Sequence, residues 1–110
     1  MEEDRIDIGA LATGLGVEEG RIRELYDLFL ETANTDLEQL ERAVTESDPE
    51  QAVSAAHSIK GAALGLGLSS LSQQALEVER RTRLGSMTGV GGLVEDLRRR
   101  LQEVASLVGR

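Results

Sequence analysis

The stretch Ile22-Arg23-Glu24-Leu25-Tyr26-Asp27-Leu28-Phe29-Leu30, with its continuation to Val44, decides the fold class. Within it Ile22, Leu25, Tyr26, Phe29, Leu30, Ala33, Leu37, Leu40, Ala43 and Val44 recur at the i, i+3, i+4, i+7 spacing that lays one stripe along a single face of an α-helix. The pattern predicts a long helix over about 18–46. Downstream, Asp48 can cap, Pro49 can take the first turn and Gln51 stands three residues after the cap, so a helix is expected over about 49–66 with Gly67 as its stop. Ser69 or Ser70 can cap a helix over about 70–84 that carries Leu71, Ala75, Leu76, Val78 and Thr82. A Gly-rich loop is expected over 85–92, then a helix over about 92–108 with Leu93, Val94, Leu97, Leu101, Val104, Leu107 and Val108 facing inward. Upstream, Asp7 can cap a short helix over about 7–14. Connections of a few residues make sequence neighbours antiparallel, so the expected architecture is all-α: an antiparallel up-and-down four-helix bundle with a short N-terminal helix.

The 110 residues, 40% hydrophobic, suit one domain with one core. Twenty acidic against 12 basic residues leave a net charge of -8, which would repel a phosphate backbone, so nucleic acid is not an expected partner. The absence of cysteine excludes disulfides, thiolate nucleophiles and cysteine-based zinc sites. The opening Met1-Glu2-Glu3-Asp4-Arg5 is acidic where a secretion signal is basic then apolar, and no run reaches the roughly 18 apolar residues of a membrane span. No membrane association is expected, and the expected compartment is the cytoplasm.

Of the 12 basic residues 11 are Arg; the single Lys, Lys60, lies one helical turn after the single His, His57. On a helical projection Ala52, Ala55, Ala56, Ile59, Ala63 and Leu66 make the buried stripe, and His57 falls about 140° from the direction of Ala52. His57 therefore faces outward, near Val53, Lys60, Gly61 and Leu64. Gly61 costs about 1 kcal/mol against Ala in a helix interior. Two readings account for it: close approach of another molecule, or tight packing of a neighbouring helix together with Gly65. One His without Cys offers no zinc set, Ser58 points about 100° away from His57, and no phosphate-binding loop for ATP is present. An exposed imidazole as nucleophile, with an ammonium to meet developing negative charge, is what phosphoryl transfer needs.

The segment Ala56-His57-Ser58-Ile59-Lys60-Gly61, followed by Gly67 ten residues after the His, resembles the A-H-x-[LI]-K-G motif of histidine-containing phosphotransfer (HPt) domains. The likeness extends from about Ile6 to Leu84. It implies that His57 is phosphorylated on Nε2, that Lys60 lies beside the phosphoryl group and that Gly61 gives clearance to a partner. It also implies partners: response-regulator receiver domains, which supply the Mg²⁺, and upstream of them a hybrid or chemotaxis-type histidine kinase. The chain itself would be a carrier without kinase activity or a bound cofactor.

Counting outward from a turn centred near residue 68 puts Glu79 level with His57, where a carboxylate could accept the Nδ1 hydrogen. The other reading of Glu79 is a surface pair with Arg83 at i, i+4. Val53, Leu64 and Leu68 are the expected docking residues, and Arg98-Arg99-Arg100 a solvated face. Two rival functions remain open: the phosphoacceptor domain of a chemotaxis-type histidine kinase, and a non-phosphorylated helical adaptor. The start at Met1, the end at Arg110 and the short leading helix lean toward a free-standing relay protein, with a domain excised from a larger protein as the alternative.

Overall fold

In the computed structural model, residues 6–109 are described, and the acidic opening 1–5 and Arg110 lie outside them. Five helices and no strand occur among the described residues: α1 (Ile8–Leu15), α2 (Glu19–Thr45), α3 (Pro49–Gly65), α4 (Ser69–Arg83) and α5 (Val90–Leu107). Backbone proximity joins α2 to α3, α3 to α4, α4 to α5 and α5 back to α2, a closed ring, while α1 lies against α2. The core fills this ring: Tyr26, Leu30 and Leu40 from α2, Ile59 from α3, Leu71 and Val78 from α4, and Val90, Leu97 and Leu101 from α5. None of the five helices is long and apolar enough to cross a membrane.

Helix ends follow local chemistry where a side chain or a left-handed residue is available. Asp7 accepts from the Ala10 N–H at 2.9 Å and Asp48 from the Gln51 N–H at 3.1 Å, each satisfying one orphan donor of a first turn. At the end of α3 the Leu68 N–H donates to Ala63 O and the Gly67 N–H to Leu64 O, with Gly67 at φ 72. This is the Schellman arrangement, which folds the residue after the glycine back over the helix it has just left. The end of α2 makes the same pair of bonds, Asp48 to Ala43 and Ser47 to Val44, but with Ser47 in the left-handed position at φ 52.

The Schellman turn corrects one expected docking residue. Leu68 does not continue the outer face of α3; it is turned into the core and is only 1% exposed. Other expectations also shift. Neither Ser69 nor Ser70 caps α4, whose N-cap is Leu68 without a side-chain bond. The Gly-rich loop is shorter than 85–92, because Val90 is fully buried and the core draws the start of α5 back to it, leaving Gly91 and Gly92 in the first turn. Leu25 and Leu107 are exposed: each lies about 80–100° from the centre of its helix's stripe, at the edge where the core ends. Replacing Leu68 with Ala should therefore cost about 2–5 kcal/mol in urea unfolding. Leu64→Ala, at a side chain 60% exposed, should leave stability within about 0.5 kcal/mol. Equal losses would show that both leucines belong to the core.

Candidate functional site

α3 presents its alanine-rich face inward, with Ala52, Ala55, Ala56, Ile59 and Ala63 buried, and so turns His57 outward. The imidazole is 64% exposed. Across the groove α4 lies level with it, and Glu79 projects from the facing side of that helix. Glu79 Oε1 is 2.9 Å from His57 Nδ1 and 3.0 Å from Lys60 Nζ, and Glu79 Oε2 is 3.2 Å from an Arg83 guanidinium nitrogen. The carboxylate is only 8% exposed. A carboxylate at Nδ1 favours the tautomer that carries its hydrogen there, which leaves the lone pair on Nε2.

The two readings of Glu79 are therefore both present in one group. It faces His57 across the helix pair and also pairs with Arg83 along its own helix. Less legible beforehand was Lys60, which is 20% exposed and spends its ammonium on the same carboxylate. Burial pushes the Glu79 carboxyl up, but hydrogen bonds from Lys60, His57 and Arg83 outweigh it and hold the group at about 2, against an ordinary 4.5. Glu79 is accordingly an anion at any pH at which an imidazole is a nucleophile.

A depressed carboxyl contributes stability above its unfolded value and loses it as pH falls toward the folded one. That window runs from about 4.5 down to about 2. The stability gap between the wild type and Glu79→Gln should narrow across it by an amount on the order of 3 kcal/mol. Urea unfolding of both proteins at a series of pH values from 6 to 2 measures this, and a gap that does not change with pH would contradict it.

The remaining site residues divide by exposure. Gly61 and Gly65 are both open: a Cβ built at either meets nothing within 4 Å, so neither glycine is there to admit a neighbouring helix. Leu64 is exposed. Val53 is half-buried and lines an open depression of about 470 Å³ together with Pro49, Glu50, Thr82, Arg83 and Gly85. Ser58 leaves the site altogether, donating to Asp36 of α2 at 2.6 Å. Arg98, Arg99 and Arg100 pair with Glu41, Asp96 and Glu103 on the far side of the ring. Among the described residues no group of three His, Asp or Glu side chains could hold a metal ion.

The chain resembles known proteins in sequence and in fold. The family model for the Hpt domain matches residues 24–107, from the first turns of α2 to the end of α5. No curated protein matches the sequence. Among solved structures, the crystal structure of histidine-containing phosphotransfer protein B (HptB) from Pseudomonas aeruginosa PAO1 is similar, with a TM-score of 0.80 and 25% identity over 92% of this chain and 85% of that one. With a matched segment that takes in four of the five helices and the whole His57, Lys60 and Glu79 cluster, the chain belongs to the Hpt domain family.

Proposed function

We propose that this chain is a phosphorelay carrier: His57 accepts a phosphoryl group from an aspartyl phosphate on a response-regulator receiver domain and passes it to the aspartate of another. The observation that carries this reading is the pairing of His57 Nδ1 with a buried, ionised Glu79 while the imidazole stands 64% exposed. That leaves a nucleophilic Nε2 turned to solvent and an imidazolium partner already in place. Phosphoryl transfer asks little more of a protein than an in-line attacker and charge for the equatorial oxygens, and Lys60 lies one turn away to supply the charge. The receiver brings the Mg²⁺; no cofactor is bound by the carrier, and with no ATP-binding loop in its sequence it has no kinase activity of its own. Upstream of the receivers stands a hybrid or chemotaxis-type histidine kinase, and the expected compartment is the cytoplasm. We read the ring of α2 to α5, joined by the short turns 46–48 and 66–68, as an antiparallel up-and-down four-helix bundle with α1 laid against it.

Docking falls to the apolar fringe of His57, namely Leu64 and Val53. An interface keeps an apolar centre within a polar rim, and a leucine 60% exposed one turn beyond Lys60 supplies part of that centre. Incubation with a panel of phosphorylated receiver domains should place acid-labile label on this protein. If no receiver labels it, the carrier reading is wrong.

Gly61 separates fold from function. With open space around it, Gly61→Ala should stabilise the domain by up to about 1 kcal/mol and Gly61→Gln should be tolerated. A side chain there stands one turn from the phosphoryl group, where the receiver must close around His57. Transfer should therefore fall from Gly to Ala to Gln while melting temperature holds or rises. Normal transfer by Gly61→Gln would show that clearance is not required.

A further inference from the structure

Glu79 has more partners than the orientation of one imidazole requires. Its two oxygens serve three donors: Oε1 faces His57 Nδ1 and Lys60 Nζ, and Oε2 faces Arg83 at 3.2 Å with Lys60 Nζ at 3.4 Å. Lys60 is thus engaged on the Nδ1 side of the ring, whereas the charge it is meant to meet arrives at Nε2. To serve the phosphoryl group its ammonium must give up part of its contact with Glu79. Removing one partner from a buried charge is costly unless another remains. Arg83 is that other partner: a guanidinium stays charged at any working pH, and this one, 62% exposed, reaches Oε2 from one turn along α4, whereas the imidazole faces Oε1.

We infer that Arg83 is a positioning residue for the transfer reaction, holding Glu79 neutralised so that Lys60 can turn from the carboxylate to the phosphoryl group. The inference rests on the reading of His57 as phosphoacceptor. In that step the Nε2 lone pair forms the N–P bond as the P–O bond of the receiver's aspartyl phosphate breaks, and the bonding pair leaves with the receiver's carboxylate. Nδ1 keeps its proton, so the ring becomes a phosphorylated imidazolium paired with Glu79. The phosphoryl oxygens carry their negative charge to the Nε2 side, and the Lys60 ammonium follows. Glu79 then retains the Nδ1 hydrogen on Oε1 and Arg83 on Oε2.

The test is a set of transfer rates from one phosphorylated receiver domain, each with a melting curve, for the wild type, Arg83→Gln, Arg83→Lys, Glu79→Gln and the Glu79→Gln/Arg83→Gln double variant. With Glu79 present, Arg83→Gln should slow transfer roughly tenfold, and Arg83→Lys should restore most of the rate. A neutral amide at position 79 can still accept from Nδ1 but does not detain an ammonium. In that background Arg83→Gln should change the rate by less than about twofold. Equal slowing in both backgrounds would place Arg83 on the phosphoryl group itself, and no slowing in either would make it a surface ion pair; each overturns the inference. A wild type that takes no label fails earlier, at the reading of His57, and removes the inference with it.

Discussion

His57→Gln should fold as the wild type does and take up no label from a phosphorylated receiver domain, a complete loss from a change at a mostly exposed side chain. No other residue of the cluster offers an alternative nucleophile. Lys60 and Arg83 are cations on Glu79, the Glu79 carboxylate is buried with both oxygens engaged by His57, Lys60 and Arg83, and Ser58 is turned to Asp36. Gln can occupy the outward position on α3 without entering the core, since the helix is held by Ala52, Ala55, Ala56, Ile59 and Ala63 on its other face. The melting temperature should hold within a few degrees, as expected for a surface substitution. Label persisting on His57→Gln would put the acceptor elsewhere.

Lys60→Ala should slow transfer by on the order of 10²-fold or less without abolishing it. An ammonium that meets developing charge forms no bond to phosphorus, and at a site open to water its loss falls at the low end of what removing a charge-stabilising donor costs. The loss has two parts. Glu79 sheds one of its three partners in the free protein, and the phosphoryl oxygens lose a cation in the complex. Measuring the rate at saturating receiver separates the second part from any weakening of docking. An unchanged rate would reduce Lys60 to a structural counter-ion of Glu79.

Much of this was readable in the sequence because it is local. The stripe from Ile22 to Val44, the Asp48-Pro49 start and the outward phase of His57 all follow from helical geometry within one element. The level placement of Glu79 was half legible, since a short turn fixes the register of an antiparallel pair within about a residue. Its burial was not legible, because that depends on how Lys60 and Arg83 close over it from two helices. Leu68 is a different case. Its signal is in the sequence, because Gly67 reads as the stop of α3 and a Schellman stop folds the residue after its glycine back inward, as the bonds to Ala63 and Leu64 show. Likewise the start of α5 is set by burial of Val90, which overrides the glycines on either side of it.

The central claim is that Nε2 of His57 carries the phosphoryl group while Nδ1 stays on Glu79. NMR of the imidazole nitrogens, recorded before and after incubation with a phosphorylated receiver domain, tests both halves in one measurement. The account predicts a proton on Nδ1 in the free protein, a phosphorus-coupled Nε2 after transfer, and retention of the Nδ1 proton in the phosphorylated form. Phosphorus coupling at Nδ1, or label on the protein with both imidazole nitrogens unchanged, would contradict it.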